Sequence, residues 1–267
     1  MRDRCPCLRH GGWPLAFCML ALASCCQMSM AQASGDRSRF VRWMYQDAGA
    51  LVGSINADTP LYVGTAMALL WPVSFIDTSI NPYVQRHDRG SFGTFLEATN
   101  RLGGPDMKLP VAGVFAATLL TRNERLQDAA FTSLQAMLYA GAITYSLKYV
   151  FGRERPFENE GPHDFDPFSG NTSFPSGHTT AAFAILTPWV LYYPHPLTYG
   201  LFALATGTAM ARLAYDKHWA TDVLAGGTIG FLTARYLTRR HQGETHLVRI
   251  TPVLSASAVS VSLRLVF

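Results

Sequence analysis

Six apolar stretches, each compatible with a helix, divide this chain: 61–76, 109–121, 129–150, 175–193, 197–214 and 223–237. They limit the fold more than any other feature. Apolar helices must bury their side chains against one another or in lipid. A full bilayer crossing needs about 20 residues, and most of these runs are shorter, so shallow or tilted helices are expected. Pro72 kinks or ends the first run, and Pro194-His-Pro196 forces a turn after the fourth. The residue pattern predicts an all-α, six-helix bundle.

If the runs are antiparallel neighbours, the third and fifth end, and the fourth and sixth begin, on one face. Three polar clusters fall there: Lys148-Tyr-Val-Phe-Gly-Arg-Glu-Arg-Pro156, Phe174-Pro-Ser-Gly-His178, and Arg212-Leu-Ala-Tyr-Asp-Lys-His-Trp-Ala-Thr-Asp222. Arg122, Arg125, Arg239 and Arg240 gather on the opposite face. In a membrane that cation excess faces the cytoplasm and the clusters face outward.

Between the runs, 34–58 reads as loop plus a short amphipathic helix. The 77–108 stretch holds one amphipathic helix around Phe92, Phe95, Leu96 and Leu102. The 152–173 loop is broken by Pro156, Pro162 and Pro167. The tail alternates Val259, Val261, Leu263, Leu265 and Phe267 with Ser260, Ser262 and Arg264, which predicts a strand paired with 247–254. One hairpin cannot close a barrel, so this C-terminal β-hairpin is read as a ribbon packed on the domain.

The chain is 49% apolar and only 15% charged, against about 25% charged in ordinary soluble proteins. That shortfall predicts a membrane partner, although the mean hydropathy of +0.11 is modest. The net charge of +4 comes with no dense basic run, which excludes a nucleic-acid partner. All five cysteines, from Cys5 to Cys26, sit in the leader. The remainder therefore has no disulfide framework and no multi-cysteine metal site.

The leader opens with Arg2, Arg4 and Arg9, then an apolar run too short to span, and reads as a signal peptide. Two exits compete: small-residue cleavage at Ala31-Gln-Ala33, and a lipobox-like Leu22-Ala-Ser-Cys25 that would leave Cys25 lipidated. The domain reading is a signal peptide (1–33), a polar segment (34–58), a helical domain (59–240) and a strand tail (241–267).

The clusters hold the chemistry. A transferring phosphoryl group carries negative charge on its equatorial oxygens and needs fixed cations. Arg155 and Arg212 offer bidentate donors and Lys148 a compact charge. Ser176 and Gly177, at a helix N-terminus, present N–H groups and a hydroxyl. His218 can attack phosphorus through a neutral ring nitrogen, with Asp222 one helical turn away to fix its tautomer. His178 can protonate the departing alkoxide. His163, Asp164 and Asp166 are read as loop rather than metal ligands. Trp219 lines the substrate mouth or packs at an interface. His87, His195, His241 and His246 have no convincing partners.

The three ordered motifs resemble those of the type 2 phosphatidic acid phosphatase superfamily, over roughly 60–238. The resemblance implies a helical, membrane-embedded phosphatase fold, shared with bacterial class A acid phosphatases and vanadium haloperoxidases. It also implies a phosphohistidine at His218, acid and base work at His178, support of the nucleophile by Asp222, and phosphate binding by Lys148, Arg155, Ser176, Gly177 and Arg212. Neither metal nor cofactor is implied. One position departs from the pattern: Ala211 stands where the family usually has Ser, which predicts weakened or rearranged oxyanion binding.

The function expected is metal-independent hydrolysis of a lipid phosphate or pyrophosphate in the bacterial envelope, at the inner membrane with the site facing the periplasm. Alternatives are a soluble periplasmic acid phosphatase, a haloperoxidase, and a non-catalytic lipid-binding envelope protein. Lipoprotein and outer-membrane placements also remain open.

Overall fold

The computed structural model describes residues 36–54, 59–87, 90–158, 161–243, 248–255 and 258–265. The leader, with its two processing signals and its cysteines, lies outside the described residues. Contacts divide the chain into two units, Met1–Arg39 and Phe40–Phe267. In the first, the Asp36 carboxylate accepts the Ser38 N–H at 3.1 Å. The second unit holds the helices that carry the clusters.

The described residues form nine α-helices where six were expected: α1 (Ser38–Gly53), α2 (Thr59–Ser74), α3 (Asp77–His87), α4 (Gly90–Asn100), α5 (Lys108–Thr118), α6 (Glu124–Phe151), α7 (Gly177–Tyr192), α8 (Pro196–Ala214) and α9 (Ala220–His241). The six apolar runs became α2 and α5–α9. Of the three additional helices, α1 and α4 fall where amphipathic helices were expected, and α3 was not anticipated. In particular, the 77–108 stretch is two helices separated near Gly90, whose φ of 61° is left-handed, followed by two 3-10 turns at Arg101–Gly103 and Pro105–Met107. The tail pairs as antiparallel strands β1 (Val248–Ser255) and β2 (Ala258–Leu265), with Val248 opposite Leu265 and Ser255 opposite Ala258.

Helix α7 is the central element, packed on α6, α8 and α9. Small residues set those distances. Ala136, Ala140, Ala184 and Ala234 are fully buried around Leu237. A Cβ on Gly226 would lie 2.4 Å from the Ser176 carbonyl oxygen, and one on Gly230 would lie 2.3 Å from that of Thr180. The α9 backbone therefore touches the α7 backbone directly, as only glycine allows. This contact brings the start of α9 beside the start of α7.

The helix ends follow from local chemistry. The Asn123 side chain caps α6 by accepting the Leu126 N–H at 3.1 Å. Gly152 ends it in the left-handed region, with its N–H on the Lys148 carbonyl at 2.9 Å. His195 caps α8 in a reciprocal pair with Thr198, so this histidine does have a partner.

At the end away from the clusters, a buried polar network ties α1 to α6 and α9. Asp47 accepts from Arg240 Nε at 2.8 Å and Gln135 Nε2 at 3.0 Å, and its Oδ2 lies 2.8 Å from His241 Nε2. The His241 Nδ1 meets the Thr132 hydroxyl at 2.7 Å, and Trp43 stacks on the ring at 3.8 Å. His241 was read as partnerless because its partners lie about 110 and 194 positions away. Burial pushes the Asp47 carboxyl up, but the bonds from His241 and Arg240 outweigh it and hold it below the ordinary carboxylate value.

Among the described residues, no single helix is long and apolar enough to cross a membrane; α2 and α3, bent by 47°, pass that test only as a pair. Large apolar side chains nevertheless stand exposed, among them Leu69, Trp71, Phe75, Leu109 and Leu120.

Candidate active site

The three clusters meet at one end of the bundle, where α6 and α8 finish and α7 and α9 begin. His218 lies in the turn between α8 and α9 and is 2% exposed. Its Nδ1 is 3.4 Å from Asp222 Oδ2, long for a hydrogen bond but typical of catalytic contacts that tighten as charge develops. Burial pushes the His218 ring down to about 4, and the hydrogen bond and charge of Asp222 only partly oppose this. The imidazole is therefore neutral over the physiological range, with a lone pair to offer.

Asp222 is fully buried and saturated with donors. Its Oδ1 accepts from Arg153 Nη1 at 2.5 Å. Its Oδ2 accepts the Ser173 hydroxyl at 2.5 Å and the Trp219 N–H at 2.9 Å, the latter a reach-back that caps α9. Burial favours the neutral acid, yet the bonds from His218 and Ser173 and the charge of Arg153 win, and the carboxyl stays below its ordinary value.

Arg153 is the residue whose role the sequence most understated. It is 2% exposed. Beyond Asp222 it donates Nη2 to Asp77 Oδ2 at 2.9 Å and Nη1 to the Thr221 hydroxyl at 2.6 Å. Asp77 opens α3, outside every motif, and is fully buried. It also accepts the Thr221 N–H at 3.0 Å. Nothing local in the sequence marks Asp77; Arg153 was visible as a second arginine inside the first cluster. Trp219 packs rather than lining a mouth: it is 6% exposed, with its Nε1 on the Glu154 carbonyl at 3.0 Å.

The cations approach from three sides. Lys148 Nζ donates to the carbonyls of Thr172 and, at 3.2 Å, Ser173. Arg155 Nη2 donates to the Thr172 hydroxyl at 3.0 Å. Arg212, 8% exposed, places Nη1 3.1 Å from Asn100 Oδ1. Their mutual repulsion is evident in their protonation. Burial, with Arg155 and Arg212 nearby, brings Lys148 down to about 8 despite the attraction of Asp222. Burial and Arg155 bring Arg212 down to about 10. His178, on the first turn of α7, is brought down to about 4 by burial and then by the charges of Arg212, His218, Arg155 and Lys148. An excess of positive charge gathered at one end of the bundle is the arrangement that stabilises a bound oxyanion.

Two expectations are corrected. The Ser176 N–H is committed to the Asp222 carbonyl at 2.9 Å, so it cannot serve an oxyanion. The Ser176 hydroxyl accepts from Thr179 and keeps its own proton to donate. Gly177, whose Cβ would lie 3.8 Å from Lys148 Cε, faces the cation cluster. Ala211 is fully buried in an apolar group with Val84, Leu96 and Leu213. Position 211 belongs to the core and not to the phosphate hollow, so its change from Ser carries no loss of an oxyanion bond. His163, Asp164 and Asp166 form no metal-holding group among the described residues.

Comparison with known proteins finds a family and several relatives. Residues 129–245 match the model of the PAP2 superfamily. The lipid A 1-phosphatase of Rhizobium etli is 34% identical over 99 residues, 35% of this chain and 42% of that protein. Undecaprenyl-diphosphatase BcrC of Bacillus subtilis is 31% identical over 115 residues, 39% of this chain and 59% of the relative. The match thus spans about two fifths of the first relative's length. Among solved structures, a transmembrane PAP2 type phosphatidylglycerolphosphate phosphatase from Bacillus subtilis shares the fold, with a TM-score of 0.53 and 19% identity over 71% of this chain and 98% of that one.

Proposed function

From the premise that this chain belongs to the PAP2 superfamily through residues 129–245, we propose that it is a phosphatase of lipid phosphates or pyrophosphates in the bacterial envelope. The observation that carries the reading is buried His218, with Nδ1 3.4 Å from the buried Asp222 carboxylate, at the end of the bundle where Lys148, Arg155 and Arg212 also lie.

Substrate phosphate enters the cation hollow and accepts from Arg155, Arg212, Lys148, the Gly177 N–H and the Ser176 hydroxyl. His218 attacks through Nε2 while Asp222 holds Nδ1–H. The new P–N bond forms as the P–O bond to the lipid breaks, and His178 gives its proton to the departing oxygen. A water then attacks phosphorus, His178 takes its proton back, the P–N bond breaks, and inorganic phosphate leaves. A bound phosphoryl dianion offsets the cations around His178 and so favours the proton that those cations disfavour. None of these steps calls on a metal.

Lipid substrates and inner-membrane placement are supported by the exposed Trp71, Phe75 and Leu109 and by the lipid phosphatase names of the relatives, and a site on the periplasmic side follows from the cation excess at the opposite end. Export remains the reading of the leader. The test is phosphate release from a long-chain phosphatidate in excess EDTA, with wild type against His218→Ala. Turnover that resists EDTA and vanishes in the variant is expected. Equal release by both proteins would remove His218 as nucleophile, and loss of wild-type turnover in EDTA would overturn the metal-free step.

A further inference from the structure

The 3-10 turn after α4 reaches the site from outside all three clusters. Asn100 precedes this turn, half-buried, and its side-chain oxygen accepts from Arg212 Nη1 at 3.1 Å. Three residues on, a Cβ on Gly103 would fall 2.1 Å from the His178 carbonyl oxygen, and one on Gly104 would come within 4.0 Å of His178 Nε2. One short turn therefore touches both the phosphate-side arginine and the histidine that handles the leaving group. The end of α4 that leads into the turn is fastened to the helix carrying Arg212, because the Thr208 hydroxyl donates to the Thr99 carbonyl at 2.7 Å.

The contact is directional. A guanidinium grips an oxyanion best with two parallel N–H groups, and the Nε–Nη2 edge is one such pair. Asn100 occupies Nη1. Arg212 Nε is buried with no partner among the described residues, which is costly unless something arrives to use it. We infer that Asn100 is a positioning residue of the phosphate hollow: by holding Nη1 it turns the Nε–Nη2 edge of Arg212 toward the phosphoryl oxygens. This rests on the phosphatase reading for its substrate, but only on oxyanion binding for its test. A neutral amide suits the task, since it aligns the arginine without cancelling its charge. A carboxylate at the same place would pair with the guanidinium and oppose the incoming anion.

That contrast separates positioning from a merely structural role. Orthovanadate binding is measured by calorimetry, and melting temperature by circular dichroism, for wild type, Asn100→Ala and Asn100→Asp. Asn100→Ala should weaken vanadate binding about tenfold, as loss of a hydrogen bond to a charged group does. Asn100→Asp should weaken it further while melting at or above the wild-type temperature, because the new ion pair holds the turn in place. Binding and stability would then move in opposite directions. Vanadate affinity unchanged in Asn100→Ala, or no weaker in Asn100→Asp than in Asn100→Ala, would overturn the inference. Phosphate release measured alongside keeps the two readings apart: a wild type that binds vanadate but hydrolyses no ester overturns the phosphatase reading alone. A wild type that binds no vanadate overturns both.

Discussion

Arg153 and Asp77 meet at 2.9 Å with both side chains withdrawn from water. The same guanidinium reaches Asp222 at 2.5 Å, so one cation is shared between the carboxylate behind the nucleophile and a carboxylate far back in sequence. A buried pair of this kind contributes little net stability when whole and costs much when broken.

Asp77→Ala should therefore lower unfolding stability by about 3–5 kcal/mol, the range for stranding one partner of a buried ion pair. Arg153→Met should cost more, because it leaves two buried carboxylates facing each other. Urea denaturation monitored by circular dichroism checks the ranking. A milder loss for Arg153→Met than for Asp77→Ala would show that the carboxylates tolerate each other without the arginine.

Asp222→Asn keeps the side-chain size but removes the charge that fixes the His218 tautomer. The turnover number should fall about 10²–10⁴-fold, the scale of a misplaced proton-transfer partner, while KM changes little, since Asp222 does not touch phosphate. Steady-state kinetics on phosphatidate decides this. A KM effect larger than the turnover effect would place Asp222 in binding.

Protonation gives a signed prediction. Burial and the neighbouring cations bring His178 down to about 4, and kcat/KM reports the free enzyme. As pH rises above that value the free enzyme loses its general acid, so kcat/KM falls. Bound phosphate offsets the neighbouring cations and raises the His178 value, so the descending limb of kcat must lie at higher pH than that of kcat/KM. Lys148, at about 8, adds a second fall in kcat/KM as it deprotonates. Lys148→Arg should remove that inflection, because a guanidinium stays charged. Full pH profiles of both parameters provide the check.

Gly226→Val forces a side chain into the Ser176 carbonyl, which stands 2.4 Å from the Cβ position. The α7–α9 contact must open, and with it the distance from His218 to the α7 N-terminus. Stability should fall by about 1–3 kcal/mol, as overpacking does, and turnover should fall with it. The same change at Gly141, which has open space around it, should be far milder. Melting curves with parallel assays compare the two.

The three clusters were legible because each is local: residues within one helical turn or one loop declare their chemistry by spacing. Long-range partners were not. Asp77, Asn100 and Ser173 reach the site through packing that no spacing encodes, and His241 looked idle because Asp47 lies 194 positions away. The apolar runs located α2 and α5–α9, since burial demands apolar residues. Helices α1 and α4 fall where amphipathic patterns pointed, at 34–58 and around Phe92 to Leu102; α3 alone escaped, since its polar sequence opens on a buried Asp77 whose partners lie far along the chain. Ala211 misled for the opposite reason: its neighbour in the chain, Arg212, faces the phosphate hollow, and adjacent helical residues point about 100° apart.

The Asp47 network has a bearing on how the chain comes together. Helix α1 is made early, yet the groups that satisfy its buried carboxylate, Arg240 and His241, are among the last of the helical residues to be synthesised. Until they arrive, Asp47 has Gln135 as its partner on α6, and α1 rests there on the ring contacts of Phe40 and Trp43 with Phe131, its carboxylate without a cation. Contacts of such long sequence separation form late, after costly loop closure. The first of the described helices is thus the last to have its buried charge balanced, and a chain truncated before Arg240 would carry the three clusters together while Asp47 stayed without its cation.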